Sequence, residues 1–157
     1  MGTNFEAKLM SCISILCSIM LLLTYFTTPS LSAIPRPTPY EVIRKYNFPV
    51  AVLPKGIIGY YLDTSAVTAR LTINLKNRCS YKIQEIHFNY EPTAVLALNN
   101  DSQLISFAYG VQVEVSPNVW NQLKSVNRVN DVLKFNGPSI NREASVSNFQ
   151  VNPECEK

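Results

Sequence analysis

The 157 residues carry 14 Lys+Arg against 11 Asp+Glu, a net charge of +3, with 46% hydrophobic residues and a single histidine. That length suits one ordinary domain, and the charges are scattered singly rather than clustered. A phosphate-binding footprint needs a clustered basic face, so the composition excludes nucleic acid as the expected partner.

The N-terminus reads as a targeting segment. Lys8 precedes an uncharged run from Leu9 to Phe26, and "TTPS" and "SLSA" follow with a proline and small residues. A basic start, an apolar run and small residues are the layout of a secretory signal peptide. Ser30 and Ser32 fit the −3 and −1 positions, which assigns residues 1–32 to the signal peptide and 33–157 to a single β-rich domain. The competing reading is an uncleaved membrane anchor. Ser11, Ser14, Ser18 and Thr24 dilute the run, and no basic stop-transfer flank follows. Removing Glu6 and Lys8 takes one charge of each sign, so the +3 remains.

Of the four cysteines, Cys12 and Cys17 lie in the apolar run and leave with it. Cys79 and Cys155 remain, an even number in a chain bound for an oxidising compartment, and they read as a disulfide. Such a bridge closes a loop of about 75 residues, for which chain entropy gives roughly 4–5 kcal/mol. Structural zinc lacks its ligands, because there is one histidine and no CxxC. A nucleophilic cysteine with His87 as its base stays open, without a motif behind it.

The first element after the "IPRPTP" lead-in is a short helix over about residues 39–47. Thr38 is its cap, Pro39 its first position, and Glu41 closes a capping box. Val42, Ile43 and Tyr46 share a face, and Asn47 with Pro49 stops the helix. Leu53–Gly56 then reads as a turn, with proline second and glycine fourth.

Beyond it the period falls to two. Val67, Ala69, Leu71, Ile73 and Leu75 alternate with polar residues, the pattern of a half-buried strand. In "SYKIQEIHFNY" the phase slips near Gln84 and Glu85, which predicts a bulge. "TAVLAL" and "QLISFAY" flank the turn "NNDS" as a hairpin, and Gly110 separates this from "VQVEV". "NVWNQLKSVNRV", "VLKF" and "ASVSNF" follow, with "NGPS" as a turn. The expected fold is therefore mainly β: an antiparallel barrel or sandwich-like sheet with one short N-terminal helix.

Catalytic motifs are absent: no GxSxG, HExxH, GxGxxG or P-loop occurs. Nothing in the pattern asks for a metal or another cofactor. Any triad must use His87, which lies opposite in phase to Ile86 and Phe88 and so points to the outer face. Asn100-Asp101-Ser102 is an N-x-S acceptor in a turn, which makes Asn100 the glycosylation candidate.

Several segments together resemble a known family. "YEVIRKYNFPVAVLPKGI", "LKNRCSYKI", "YGVQVEV" with Trp120 downstream, and above all "ASVSNFQVNPEC" are similar to the plant domain of unknown function 538 family. The resemblance places Cys79 and Cys155 where that family has its cysteines. It implies a small secreted plant protein that is β-rich, with an N-terminal helix. The family has been likened to the lipid-binding bactericidal/permeability-increasing fold, and hydrolase activity has been suggested for it. The expectation is a non-enzymatic binding domain for an amphiphile or lipid, or for a cell-wall or membrane-surface partner. The alternative is a carboxylester hydrolase using His87 with a Ser or Cys nucleophile.

Overall fold

Thr38 caps the first described helix, as the residue types require. The computed structural model describes residues 36–99 and 101–156, so the expected signal peptide lies outside the described residues. Pro37–Lys157 forms one compact unit. Helix α1 spans Pro39–Lys45. The Thr38 hydroxyl accepts from the Glu41 N–H at 3.2 Å, and the Glu41 carboxylate accepts from the Thr38 N–H at 2.6 Å. This reciprocal pair satisfies two of the free donors at the helix start. The helix ends earlier than the expected residue 47, because Tyr46 caps it and Asn47 adopts φ 62°. Val42 and Ile43 are buried.

A first 3-10 turn, Val50–Val52, follows. Leu53–Gly56 bends rather than closing the expected β-turn. Its backbone bonds to another segment instead, with Lys55 N–H donating to Pro153 O at 2.8 Å.

Nine strands come next: β1 Ile57–Asp63, β2 Ala69–Leu75, β3 Cys79–Ile83, β4 Ile86–Asn99, β5 Leu104–Ser116, β6 Val119–Gln122, β7 Ser125–Val129, β8 Val132–Gly137 and β9 Ile140–Ser145. They form one antiparallel sheet in the order β1-β2-β4-β5-β7-β8-β9, with β3 also on β4 and β6 also on β5. The sheet is mainly antiparallel and does not close, so the sandwich-like reading holds over the barrel. A second 3-10 turn, Val146–Phe149, occupies most of "ASVSNF", where a strand is expected.

The other departures have local causes. Val67 precedes β2 and is fully exposed; the core alternation begins at Ala69. The phase slip at Gln84 and Glu85 is a two-residue hairpin turn, not a bulge: Ile83 pairs with Ile86, and Gln84 supplies a positive φ of 51°. Gly110 does not separate two strands but lies inside β5. At that point β4 and β5 lose register between the Tyr90–Val111 and Val95–Tyr109 pairs. The irregularity lets two long strands bend together around one core.

That core is a single cluster fed by the inner sheet face, α1 and both 3-10 turns. Aromatic rings run through it, with Tyr81 stacked on Phe88 at 5.2 Å and Phe88 edge-on to Phe135 at 5.5 Å. Gly110 tests the bend. Its φ is 89°, and an added Cβ would lie 2.3 Å from the Thr93 carbonyl oxygen. Gly110→Ala is therefore expected to lose about 2–4 kcal/mol of stability in urea unfolding; a loss below about 0.5 kcal/mol would show that the bend tolerates a side chain.

Candidate functional site

The outer face of β3–β6 collects the polar residues that alternate with the core. Register places Ser80, Asn89, Gln112 and Gln122 in one cross-strand row. The next row pairs Lys82 with His87, and Glu114 with Trp120. His87 joins the two halves of that second row, its Nδ1 lying 2.9 Å from Glu114 Oε2. Its ring also meets Trp120 edge-on, at 4.8 Å between centroids. On the other side of the ring, Nε2 lies 3.1 Å from Ser80 Oγ and 3.1 Å from Glu156 Oε2.

Hydroxyl, imidazole and carboxylate thus follow one another at hydrogen-bond distance, in the order used for nucleophile activation. Two features compete with that chemistry. The Ser80 hydroxyl also donates to the Phe88 carbonyl at 3.2 Å, and the Glu156 carboxylate shares Nε2. Glu114 accepts from the Asn118 N–H at 2.8 Å. That bond first, and then His87, hold its carboxyl below the usual range. Asn89 is buried in the same face; its amide donates to Gln112 at 3.2 Å, while its own oxygen has no protein partner.

Glu156 reaches His87 because the C-terminal segment is strapped along this side of the fold. Asn152 donates to the carbonyls of Val50 and Leu53, at 2.8 and 3.0 Å. Lys55 Nζ lies 2.7 Å from Glu154. Cys155 is joined to Cys79 of β3, with S–S 2.06 Å and Cα atoms 5.0 Å apart. The Glu156 N–H then donates to Ser80 O at 2.7 Å. The strap is an extended segment after the second 3-10 turn, not a strand. With both sulfurs in the bridge, the nucleophilic side chain that stands beside His87 among the described residues is the Ser80 hydroxyl and not a thiol.

A second outer patch lies on β1, β2, β4 and β5. Tyr61 pairs with Thr72, Thr72 with Val95, and Val95 with Tyr109, so one row crosses four strands. The tyrosines at its ends are 66% and 51% exposed. Three inter-strand steps of about 4.8 Å separate them, roughly 14 Å. Beside the row, Thr93 donates to Asn74 at 3.1 Å, and Asp63 faces Arg70 across β1 and β2.

Among the described residues, clefts of about 270, 510 and 430 Å³ indent the surface, each open to solvent. The last is edged by His87, Glu114, Lys82 and Arg142. Among the described residues no group of three or more His, Cys, Asp and Glu is placed to hold a metal. Nor is any helix there long and apolar enough to cross a membrane. Asn100 lies outside the described residues; beside it, Asn99 accepts from the Ser102 N–H at 3.1 Å.

Comparison with known families gives one match. The family described as "Protein of unknown function, DUF538" matches residues 39–150. The chain belongs to this family. No curated protein and no solved structure matches. The match takes in α1, the whole sheet, Ser80, His87, Glu114 and Trp120, and it stops before Cys155 and Glu156.

Sequence reasoning singled out His87 but missed Ser80, Glu114 and Glu156 as its neighbours. A two-residue turn at Gln84 and Glu85 would have aligned Lys82 with His87 and placed Ser80 on the diagonal. The strap is tested through its anchor. Non-reduced mass spectrometry is expected to find Cys79 and Cys155 linked, and Cys155→Ser to lose about 2–5 kcal/mol of stability. A free thiol at Cys155 would remove the strap's covalent anchor.

Proposed function

We propose that this DUF538 protein is a secreted, non-catalytic domain that binds a neutral cell-wall polysaccharide through the Tyr61–Tyr109 face. The row of two exposed tyrosines, held in register by Thr72 and Val95, carries the reading. A sugar ring has an apolar C–H face that lies flat on an aromatic ring, while its rim of hydroxyls needs donors and acceptors. Thr72, Thr93 and Asn74 supply neutral partners beside the tyrosines. The only charges in the neighbouring cross-strand row, Asp63 and Arg70, oppose each other. A membrane surface would instead favour an apolar protrusion fringed by several cations. The disulfide supports an oxidising compartment. The clefts among the described residues open to solvent, and so give no support to an amphiphile held in an internal cavity.

The test is co-sedimentation of the protein with insoluble β-glucan, alongside zwitterionic and anionic phospholipid vesicles. Binding to glucan is expected, and Tyr61→Ala/Tyr109→Ala, checked for folding by circular dichroism, should weaken it about tenfold or more. Equal binding by the double variant, or binding to vesicles alone, overturns the reading.

The 3.1 and 2.9 Å distances around His87 favour one second reading, ester hydrolysis. Ser80 Oγ would attack the ester carbonyl as His87 Nε2 takes its proton. That proton would leave with the alcohol, and water would then release the acid from the acyl-serine. Glu156 must move aside first. On a panel of nitrophenyl esters, Ser80→Ala and His87→Ala should each lower turnover by about 10²-fold or more. Turnover unchanged in both variants, or absent from the parent protein, ends this reading.

A further inference from the structure

We infer that the cleft between the end of α1 and β7 is a binding site for a small ring-bearing carboxylic acid. It shares no residue with the tyrosine face or with the His87 cluster. Its volume is about 270 Å³, and its walls include Arg44, Arg128 and Gln150. Phe48, Val50 and Val146, all buried, contribute its apolar lining.

Arg128 is held in place before any ligand arrives. Its side chain is 19% exposed. Nε donates to Asn130 O at 2.9 Å, and Nη1 donates to Asn47 Oδ1 at 2.9 Å and also to Asn47 O. These bonds use three of the five guanidinium N–H donors and leave the Nη2 pair. The nearest carboxylate to that pair is Asp131, at 4.0 Å and 93% exposed, too far for a hydrogen bond. Arg44, in the last turn of α1, forms no ion pair among the described residues.

Two guanidinium groups therefore share an open cleft, offset by Asp131 at 4.0 Å from Arg128 and by the charge of Glu41 acting on Arg44 without an ion pair between them. A planar carboxylate matches the fork geometry of Arg128, and Arg44 adds a second charge. The apolar share of the lining, smaller than the polar share, can meet one face of a single ring. The cleft is smaller than typical drug-sized sites, which argues against an acyl chain or a folded polymer segment.

Arg128 would make the same three bonds if its only task were to clip the Asn47 backbone, so the test turns on Arg44. The full-length chain is expressed in a secreting host with ¹⁵N label, and the product is titrated with sodium benzoate, benzyl alcohol or inorganic phosphate. Benzoate is expected to give saturable shifts at the Val50, Val146 and Gln150 amides with millimolar affinity. Benzyl alcohol, of the same shape without the charge, should bind about tenfold more weakly or worse. Phosphate should be weaker as well, lacking the ring. Arg44→Gln should weaken benzoate roughly fivefold while leaving the remaining amide shifts in place. The site is overturned by absence of shifts at those amides up to about 20 mM benzoate, by equal binding of benzyl alcohol, by equal binding of phosphate, or by unchanged benzoate affinity in Arg44→Gln.

Discussion

The fold depends on burying a segment that is neither a true helix nor a strand. Between Phe48 and Pro54 the chain runs through the interior, and its carbonyl groups have no ladder to join. A buried carbonyl without a donor costs about as much as a lost hydrogen bond. Four side chains from outside the segment meet this demand, the Tyr40 hydroxyl by donating to the Pro54 carbonyl at 3.0 Å. Tyr81 donates to the carbonyls of Ala51 and Val52, and Tyr90 donates to Val52. Asn152 covers Val50 and Leu53 from the opposite end of the chain. Burial raises the pKa of the Tyr81 and Tyr90 phenols, so they remain protonated donors wherever the protein works.

This requirement explains why the C-terminus is structural. A terminal segment frays unless something ties it down. Here Asn152 is needed by the buried segment, Pro153 takes the Lys55 N–H, and the disulfide fixes the next turn of the path. Each bond alone is modest, but they lie within five consecutive residues and share one ordering cost. The covalent link removes much of that cost from the folded side by restricting the unfolded chain.

Much of this architecture was legible in the residues. Thr38, Pro39 and Glu41 specify the helix start through local hydrogen bonds. The alternation from Ala69 to Leu75 specifies β2 because one of its faces is buried. What the residues concealed was set by pairing across the sheet. Gly110 looks like a break because glycine ends strands as often as it bends them; only its approach to the Thr93 carbonyl distinguishes the two. Gln84 and Glu85 look like a bulge because neither is a common turn residue, yet Gln84 takes the left-handed conformation the hairpin needs. The neighbours of His87 were hidden for the same reason: Ser80, Glu114 and Glu156 come from three separate segments, and only register brings them together.

The outer surface divides according to what the strap uses. On β3–β6 the polar rows are largely spent on one another and on Glu156, so His87 already has an acceptor at each ring nitrogen. Imidazole engaged in this way is first of all a fastening for the terminus, and chemistry there requires the fastening to open. The tyrosine row has no such internal duty. Tyr61 and Tyr109 pair across strands with Thr72 and Val95, contacts that contribute at most about 1 kcal/mol each to the sheet, yet more than half of each tyrosine stands in water. Internal hydrogen bonding accounts for the polar ladder, whereas strand pairing accounts for only part of the exposed tyrosines, and that difference is why the proposed binding function is put on their face of the sheet.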